Sequence, residues 1–170
     1  MTSQPRRKSL ADRNREAIQR DPIEHTPPIR PERRARTTTT DTTRVSVSMS
    51  PDEFTGVKAA FIADWQHARQ HDTFPAWISA ALEHHAILSP TQRSALAGDG
   101  PKGKSPRSFV IPNIVGDQIR DALAADARHG AFLTMSAWCH NALMAGVATA
   151  RGKNDGVLPT PPSRLPIRLA

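Results

Sequence analysis

Cysteine, tyrosine and long apolar runs are what this sequence has least of. A single cysteine, Cys139, stands among 170 residues. It excludes an internal disulfide and any zinc site built from several thiolates, and it suits a reducing interior. Tyrosine is absent and aromatic residues make up only 5% of the chain, so tryptophan serves as a landmark. The opening stretch MTSQPRRKSLADRNREAIQR is polar and has no apolar centre, so it is not expected to act as an export signal. Ala131 to Ala150 contains no Asp, Glu, Lys or Arg. However, Thr134, Ser136, His140, Asn141 and Thr149 interrupt it and its apolar residues follow a helical period, so no membrane span is expected. GxxxxGK[ST], GxSxG and HExxH patterns are also missing. His67 and His71 stand one helical turn apart without a third ligand at suitable spacing, and Asp52 with Glu53 have a capping role. No metal, cofactor or enzymatic activity of its own is expected.

Charge is abundant and unevenly placed. The formal net charge is +7 and the pI about 10.7, which points to polyanionic partners such as nucleic acid. Residues 1–43 carry 10 basic and 6 acidic side chains, residues 44–150 carry 9 of each, and residues 151–170 carry 4 and 1. The excess therefore lies at the two ends. Proline collects there too, at Pro5, Pro22, Pro27, Pro28 and Pro31, and at Pro159, Pro161, Pro162 and Pro166. Both ends read as disordered or extended arms.

The middle of the chain repeats itself. An offset of 61 superposes Thr73, Phe74, Ala76, Trp77, Ile78, Ala81 and Leu82 on Thr134, Met135, Ala137, Trp138, Cys139, Ala142 and Leu143. Upstream, an offset of 62 superposes Val47, Met49, Val57, Ala60, Phe61, Asp64 and His67 on Phe109, Ile111, Ile119, Ala122, Leu123, Asp126 and His129. The one-residue change falls in a loop. Self-similarity at such a period marks a repeated supersecondary unit.

Local signals give the unit its content. Val45, Val47 and Met49 alternate with Arg44, Ser46 and Ser48 as on a half-buried strand. Ser50, Pro51, Asp52 and Glu53 then open a helix whose apolar stripe is Phe54, Val57, Phe61, Ile62 and Trp65. Thr73 caps a second helix facing inward with Phe74, Trp77, Ile78, Ala81 and Leu82. In the second copy Arg107 to Ile111 is the strand, a helix begins near Pro112 or Asn113, and Thr134 caps a last helix to about Arg151. Ser89 and Pro90 start a short helix before a Gly- and Pro-rich basic linker. The expected divisions are a disordered basic arm (1–43), a first repeat (44–88), a short helix and linker (89–106), a second repeat (107–151) and a proline-rich tail (152–170).

One strand with two helices cannot enclose its own apolar face, whereas two such units, strands paired and helices behind, can. That is the ribbon-helix-helix arrangement. The expected fold is mainly α, with tandem ribbon-helix-helix repeats forming a pseudo-twofold unit between disordered N- and C-terminal arms. The runs TTRVSVSMSPDEFTGVKAAFIADWQHARQHDTFPAWISAALEHHAILSPTQRSALA, SAWCHNAL and LPTPPSRLPIRL, within residues 42–168, resemble the small ParB-like centromere-binding proteins of actinobacterial plasmids. The resemblance implies a site-specific DNA-binding protein of plasmid partition that partners a ParA-type Walker ATPase, sometimes repressing its own operon. It also implies a cytoplasmic protein associated with nucleoid or plasmid.

A two-stranded ribbon fits the major groove and aims alternate side chains at base edges. Arg44, Ser46 and Ser48 are the candidates from the first strand, and Arg107, Ser108 and Val110 from the second. Arg44 alone is suited to a bidentate contact with guanine, and Val110 to a thymine methyl, so readout of the two half-sites is expected to differ. Thr73 and Thr134, at helix starts, and Lys102 and Lys104, in the linker, are the candidates for anchoring phosphates of double-stranded DNA. Disordered arginine-bearing arms of partition proteins imply an ATPase-stimulating role here for Arg6, Arg7, Lys8, Arg13 or Arg15. Self-association by exchange of repeats between two chains stays open at this level. So do a ribbon-helix-helix repressor, a relaxosome accessory protein and, in another class, an antitoxin whose proline-rich tail wraps a toxin.

Overall fold

A computed structural model describes residues 41–96 and 105–169 of the chain. The elements follow as β1 (Thr42–Met49), α1 (Pro51–Ala68), α2 (Phe74–Ile87), α3 (Pro90–Ala95), β2 (Ser105–Pro112), α4 (Asn113–Arg128) and α5 (Met135–Lys153). Helix accounts for 60% of the structure, set against one two-stranded antiparallel sheet. The mainly helical class expected from the sequence is thus observed. Both strands run longer than expected, starting at Thr42 in place of Thr43 and at Ser105 in place of Arg107, because each is extended by pairing with the other.

The helix boundaries follow from local chemistry. Ser50 Oγ accepts from the Glu53 N–H at 3.2 Å while Glu53 Oε2 accepts from the Ser50 N–H at 2.7 Å, a reciprocal capping box with Pro51 in the first turn. Thr73, Ser89 and Thr134 accept from the N–H three residues on at the starts of α2, α3 and α5. Beyond α1 and α4 the chain enters the left-handed region at Arg69 (φ 53°) and Gly130 (φ 86°), which are 61 residues apart. Glycine fills the second site without cost, and Arg69 stacks its guanidinium 4.2 Å from the Trp65 ring.

The two strands pair with Ser46 opposite Ser108, so residues 62 apart in sequence face each other at the centre of the ribbon. Val45, Val47, Met49 and Ile111 on the inner face are buried, together with Val57, Phe61, Trp77, Ile78, Leu82, Ile119, Trp138, Cys139 and Leu143 in one continuous core. The helices interlock across the chain: α1 packs chiefly on α5, and α2 on α4 and α5, while α1 meets α2 through Phe74 against Phe54 and Phe61. α4 reaches the ribbon closely at Gly116, where an added Cβ would lie 2.8 Å from Thr43 Cγ2.

Polar groups in this core are placed in matching ways. Trp77 Nε1 donates to Asp64 Oδ2 at 2.8 Å, and Trp138 Nε1 donates to Asp126 Oδ2 at 2.9 Å. The sequence offsets had matched both partners of each bond. Their counter-ions differ. Asp64 is partly exposed and lies 3.5 Å from Lys153 Nζ, whereas Asp126 is buried and receives Nε and Nη2 of buried Arg93 from α3 at 2.7 to 3.0 Å. Arg93 also donates to the carbonyls of Ala86, Leu88 and Ala122. His85, in the last turn of α2, is buried with its ring edge-on to Trp138 at 4.9 Å. The Trp138 indole offers it apolar surface that solvent would not.

The C-terminal tail is the clearest departure from expectation. It is extended, as its prolines require, but it lies on the protein and is not a free arm. Leu158, Leu165 and Leu169 pack against the core, the Leu169 N–H donates to the Asp72 carbonyl at 2.8 Å, and Lys58 Nζ donates to the carbonyls of Pro162 and Ser163. Arg168 Nε donates to Asp72 Oδ2 at 2.8 Å, and this bond holds the Asp72 carboxyl below its ordinary pKa. Leucines spaced along the tail supply the apolar contact that a composition count hides. The expected N-terminal arm, residues 1–43, is described only from residue 41, where Thr42 and Thr43 belong to β1; the rest of it and the linker lysines lie outside the described residues.

Two outcomes follow from the buried polar groups. Arg93→Met strands the Asp126 carboxylate in the core, and urea unfolding should show a loss of about 3–5 kcal/mol. Burial, and then the Arg93 charge, push the His85 pKa down from 6.5 to about 4. The folded state therefore keeps His85 neutral, so its contribution is complete above pH 6.5 and is lost as pH falls toward 4. The urea midpoint should drop across that window more steeply in the wild type than in His85→Leu, the full difference being on the order of 3 kcal/mol.

Candidate nucleic-acid interface

Among the described residues no helix lies against the outer face of the ribbon. Strand alternation fixes its membership: Thr42, Arg44, Ser46 and Ser48 from β1, and Pro106, Ser108, Val110 and Pro112 from β2. All are exposed except Ser48, which is half-buried. The register brings Arg44 directly opposite Val110, Ser46 opposite Ser108 and Ser48 opposite Pro106. Five of the six expected base-reading residues thus share one surface. That surface carries one cation, no carboxylate, and a central run of hydroxyls able to donate or accept.

Arg107 is the exception. It shares its parity with Phe109 and Ile111, and its guanidinium sits 4.6 Å from the centre of the Phe54 ring. Its Nε is buried with no hydrogen-bond partner among the described residues. Its place at the strand's start suggested reach to a base or phosphate, but pairing over the full strand turns its side chain to the helix side. Thr42, Pro106 and Pro112 are outward residues that sequence reasoning left out. The alternation signal extends to them once the strands are known to run that far.

Two helix starts flank the ribbon. The Thr134 hydroxyl caps α5, accepting the Ala137 N–H at 3.2 Å, and Ser136 Oγ accepts the Ser48 N–H at 3.0 Å, fastening this helix start to the edge of β1. The Thr73 hydroxyl caps α2, accepting the Ala76 N–H at 3.4 Å, and Phe74 stands 6.4 Å from Phe109. The offset partner of Ser136 is Pro75, which has no hydroxyl to offer. Remaining N–H groups at both starts, with the helix dipole behind them, favour anions. The α1 start is built differently. His140 Nε2 lies 2.9 Å from Glu53 Oε1, and although partial burial raises the Glu53 pKa, the Ser50 N–H and His140 outweigh it and hold the carboxyl below its ordinary value. Glu53 is thereby spent on joining α5 to α1.

Lys102 and Lys104, and the arm residues Arg6, Arg7, Lys8, Arg13 and Arg15, lie outside the described residues. No group of three or more His, Cys, Asp or Glu side chains is gathered in metal-binding geometry among the described residues, and none of their helices is long and apolar enough to cross a membrane. Between α2 and α5, an open cavity of about 650 Å³ is lined by Trp77 and small residues such as Ala81, Ala145 and Gly146. No protein-family model matches the chain, and no curated protein or solved structure is significantly similar to it.

Cys139 takes no part in any site. It is fully buried, and burial raises its thiol pKa to about 12. A thiol reagent at pH 8 should leave it unmodified in the folded protein and label it fully in denaturant, as read by mass spectrometry.

Proposed function

We propose that this chain is a sequence-specific double-stranded DNA-binding protein. In this reading its two β-α-α segments are tandem ribbon-helix-helix repeats that close a pseudo-twofold unit within one molecule. The observation that carries the proposal is the uncovered outer face of the ribbon, with Arg44, Ser46, Ser108 and Val110 exposed and no carboxylate among them. A ribbon of this width enters the major groove, where Arg44 pairs with guanine and the serines hydrogen-bond to base edges. The starts of α2 and α5, at Thr73 and Thr134, meet the flanking phosphates. Basic residues of the arm and linker add non-specific, salt-dependent attraction.

The resemblance to ParB-like centromere-binding proteins supplies the biological role. In this proposal the protein binds centromere-like repeats of a plasmid, partners a ParA-type ATPase and represses its own operon. Arg6, Arg7, Lys8, Arg13 and Arg15 are then the residues that reach the ATPase, where an arginine stabilises charge on the transferred phosphoryl group. A repressor or relaxosome protein would read DNA through the same ribbon, and only stimulation of the ATPase separates it from a partition protein. The antitoxin alternative gave the proline-rich tail to a toxin; in the structure that tail is occupied by its own core.

Fluorescence anisotropy on DNA flanking the gene, against scrambled DNA over a salt series, tests the proposal. Arg44→Ala combined with Ser46→Ala should abolish the preference for the flanking DNA, a loss of roughly 5- to 150-fold for the arginine pair alone. Weak binding that falls steeply with salt should remain. Equal affinity for both DNAs, unchanged by the mutations, would refute ribbon readout.

A further inference from the structure

The strand register decides which side chains sit together, and it makes the two ends of the ribbon chemically different. Arg44 lies directly opposite Val110, beside Thr42 and Pro112, at one end. Ser48 lies directly opposite Pro106 at the other. Ser46 and Ser108 occupy the centre, and they are also the pair related by the 62-residue offset. By that same offset Pro106 is the counterpart of Arg44, and Val110 of Ser48. One end therefore carries a fork of guanidinium donors beside an apolar side chain. The other carries a hydroxyl beside a proline ring, with no cation on its outward face among the described residues. Arg107, the nearest cation in β2, is turned away onto Phe54.

We infer that the protein binds a non-palindromic DNA sequence in a single orientation, with Arg44 and Val110 reading one half-site and Ser48 and Pro106 tolerating the other. The inference rests on the DNA-reading proposal above. Four residues of strand span ~13 Å at about 3.3 Å each, close to four base-pair steps of about 3.4 Å. Residues directly opposite on a ribbon have Cβ atoms about 5 Å apart, so Arg44 and Val110 reach the same or neighbouring base pairs. Guanine O6 and N7 accept the guanidinium fork, and a neighbouring thymine offers its methyl to Val110. At the opposite end a single serine hydroxyl donates or accepts equally well, so it distinguishes bases poorly. The recognised core is a guanine-bearing step at one end, a centre read by two serines, and a degenerate step at the other end. A bound molecule consequently has a direction, and successive molecules on repeated sites of one polarity all point the same way.

Selection of bound sequences from a randomised duplex pool, with the full-length protein, tests this directly. The wild type should enrich a consensus with a required guanine at one end only. Arg44→Ala should erase that requirement, lowering affinity for the selected site roughly 5- to 150-fold. Pro106→Arg places a guanidinium at the matching position and should add a second required guanine, giving a consensus with guanine required at both ends. Circular dichroism establishes that both variants keep their helix content. A symmetric wild-type consensus would overturn the inference while leaving DNA reading intact, and so would a one-sided consensus retained by folded Pro106→Arg. Absence of any enrichment by the wild type would instead overturn the DNA-reading proposal itself.

Discussion

Everything in this structure follows from one constraint: among the described residues β1 has only β2 as a partner strand, and three helices separate the two in sequence. A single strand leaves its backbone N–H and C=O groups without ladder partners, and here each strand satisfies one edge only by pairing with the other. The pairing turns Val45, Val47, Met49 and Ile111 to the same side, which fixes where the helices must gather. Because α1 then rests on α5, and α2 on α4, neither half of the chain encloses a core without the other. The same pairing leaves a polar surface free on the opposite face. Core and candidate DNA surface are thus the two sides of one two-stranded ribbon.

Within that frame, symmetry of sequence and asymmetry of environment coexist. Both halves join an aspartate on the helix that follows the strand to a tryptophan on the next long helix, through Asp64 with Trp77 and Asp126 with Trp138. The indole body fills the core while its N–H needs an acceptor there, and the carboxylate provides one. A carboxylate inside a protein in turn needs a positive partner. Lys153 at the solvent edge suffices for Asp64, whereas the buried Asp126 draws in Arg93 with every nearby carbonyl it can reach. The short helix between the halves is therefore more than a connection, because it brings the charge that the second half requires.

Much of this was legible in the residues. Alternation in TTRVSVSM placed Arg44, Ser46 and Ser48 outward, and the tryptophan landmarks placed Trp77 and Trp138 inward, since side-chain period reports directly which way a residue points. The caps at Ser50, Thr73, Ser89 and Thr134 were equally readable, being local bonds spanning three residues. Arg107 was not, because a strand's first residues belong to it only if a partner strand extends alongside. Nor was the tail: its prolines announced an extended chain but not the surface that would receive it.

The sequence by itself determined the elements, their caps, the offset between the halves and the face of the residues in the alternating run of the first strand, all of which depend on neighbours a few positions away. Only the tertiary structure decided what meets across long separations. Arg44 stands opposite Val110, Arg93 closes on Asp126, His85 lies under Trp138 and Leu169 binds beside Thr73 at Asp72. No local pattern specifies these, because register, burial and the pairing of charges are set by how separate elements share one interior. The unlike ends of the ribbon belong to this second kind. Their residues were visible one at a time, and their grouping into a strong and a weak end exists only once the strands are aligned.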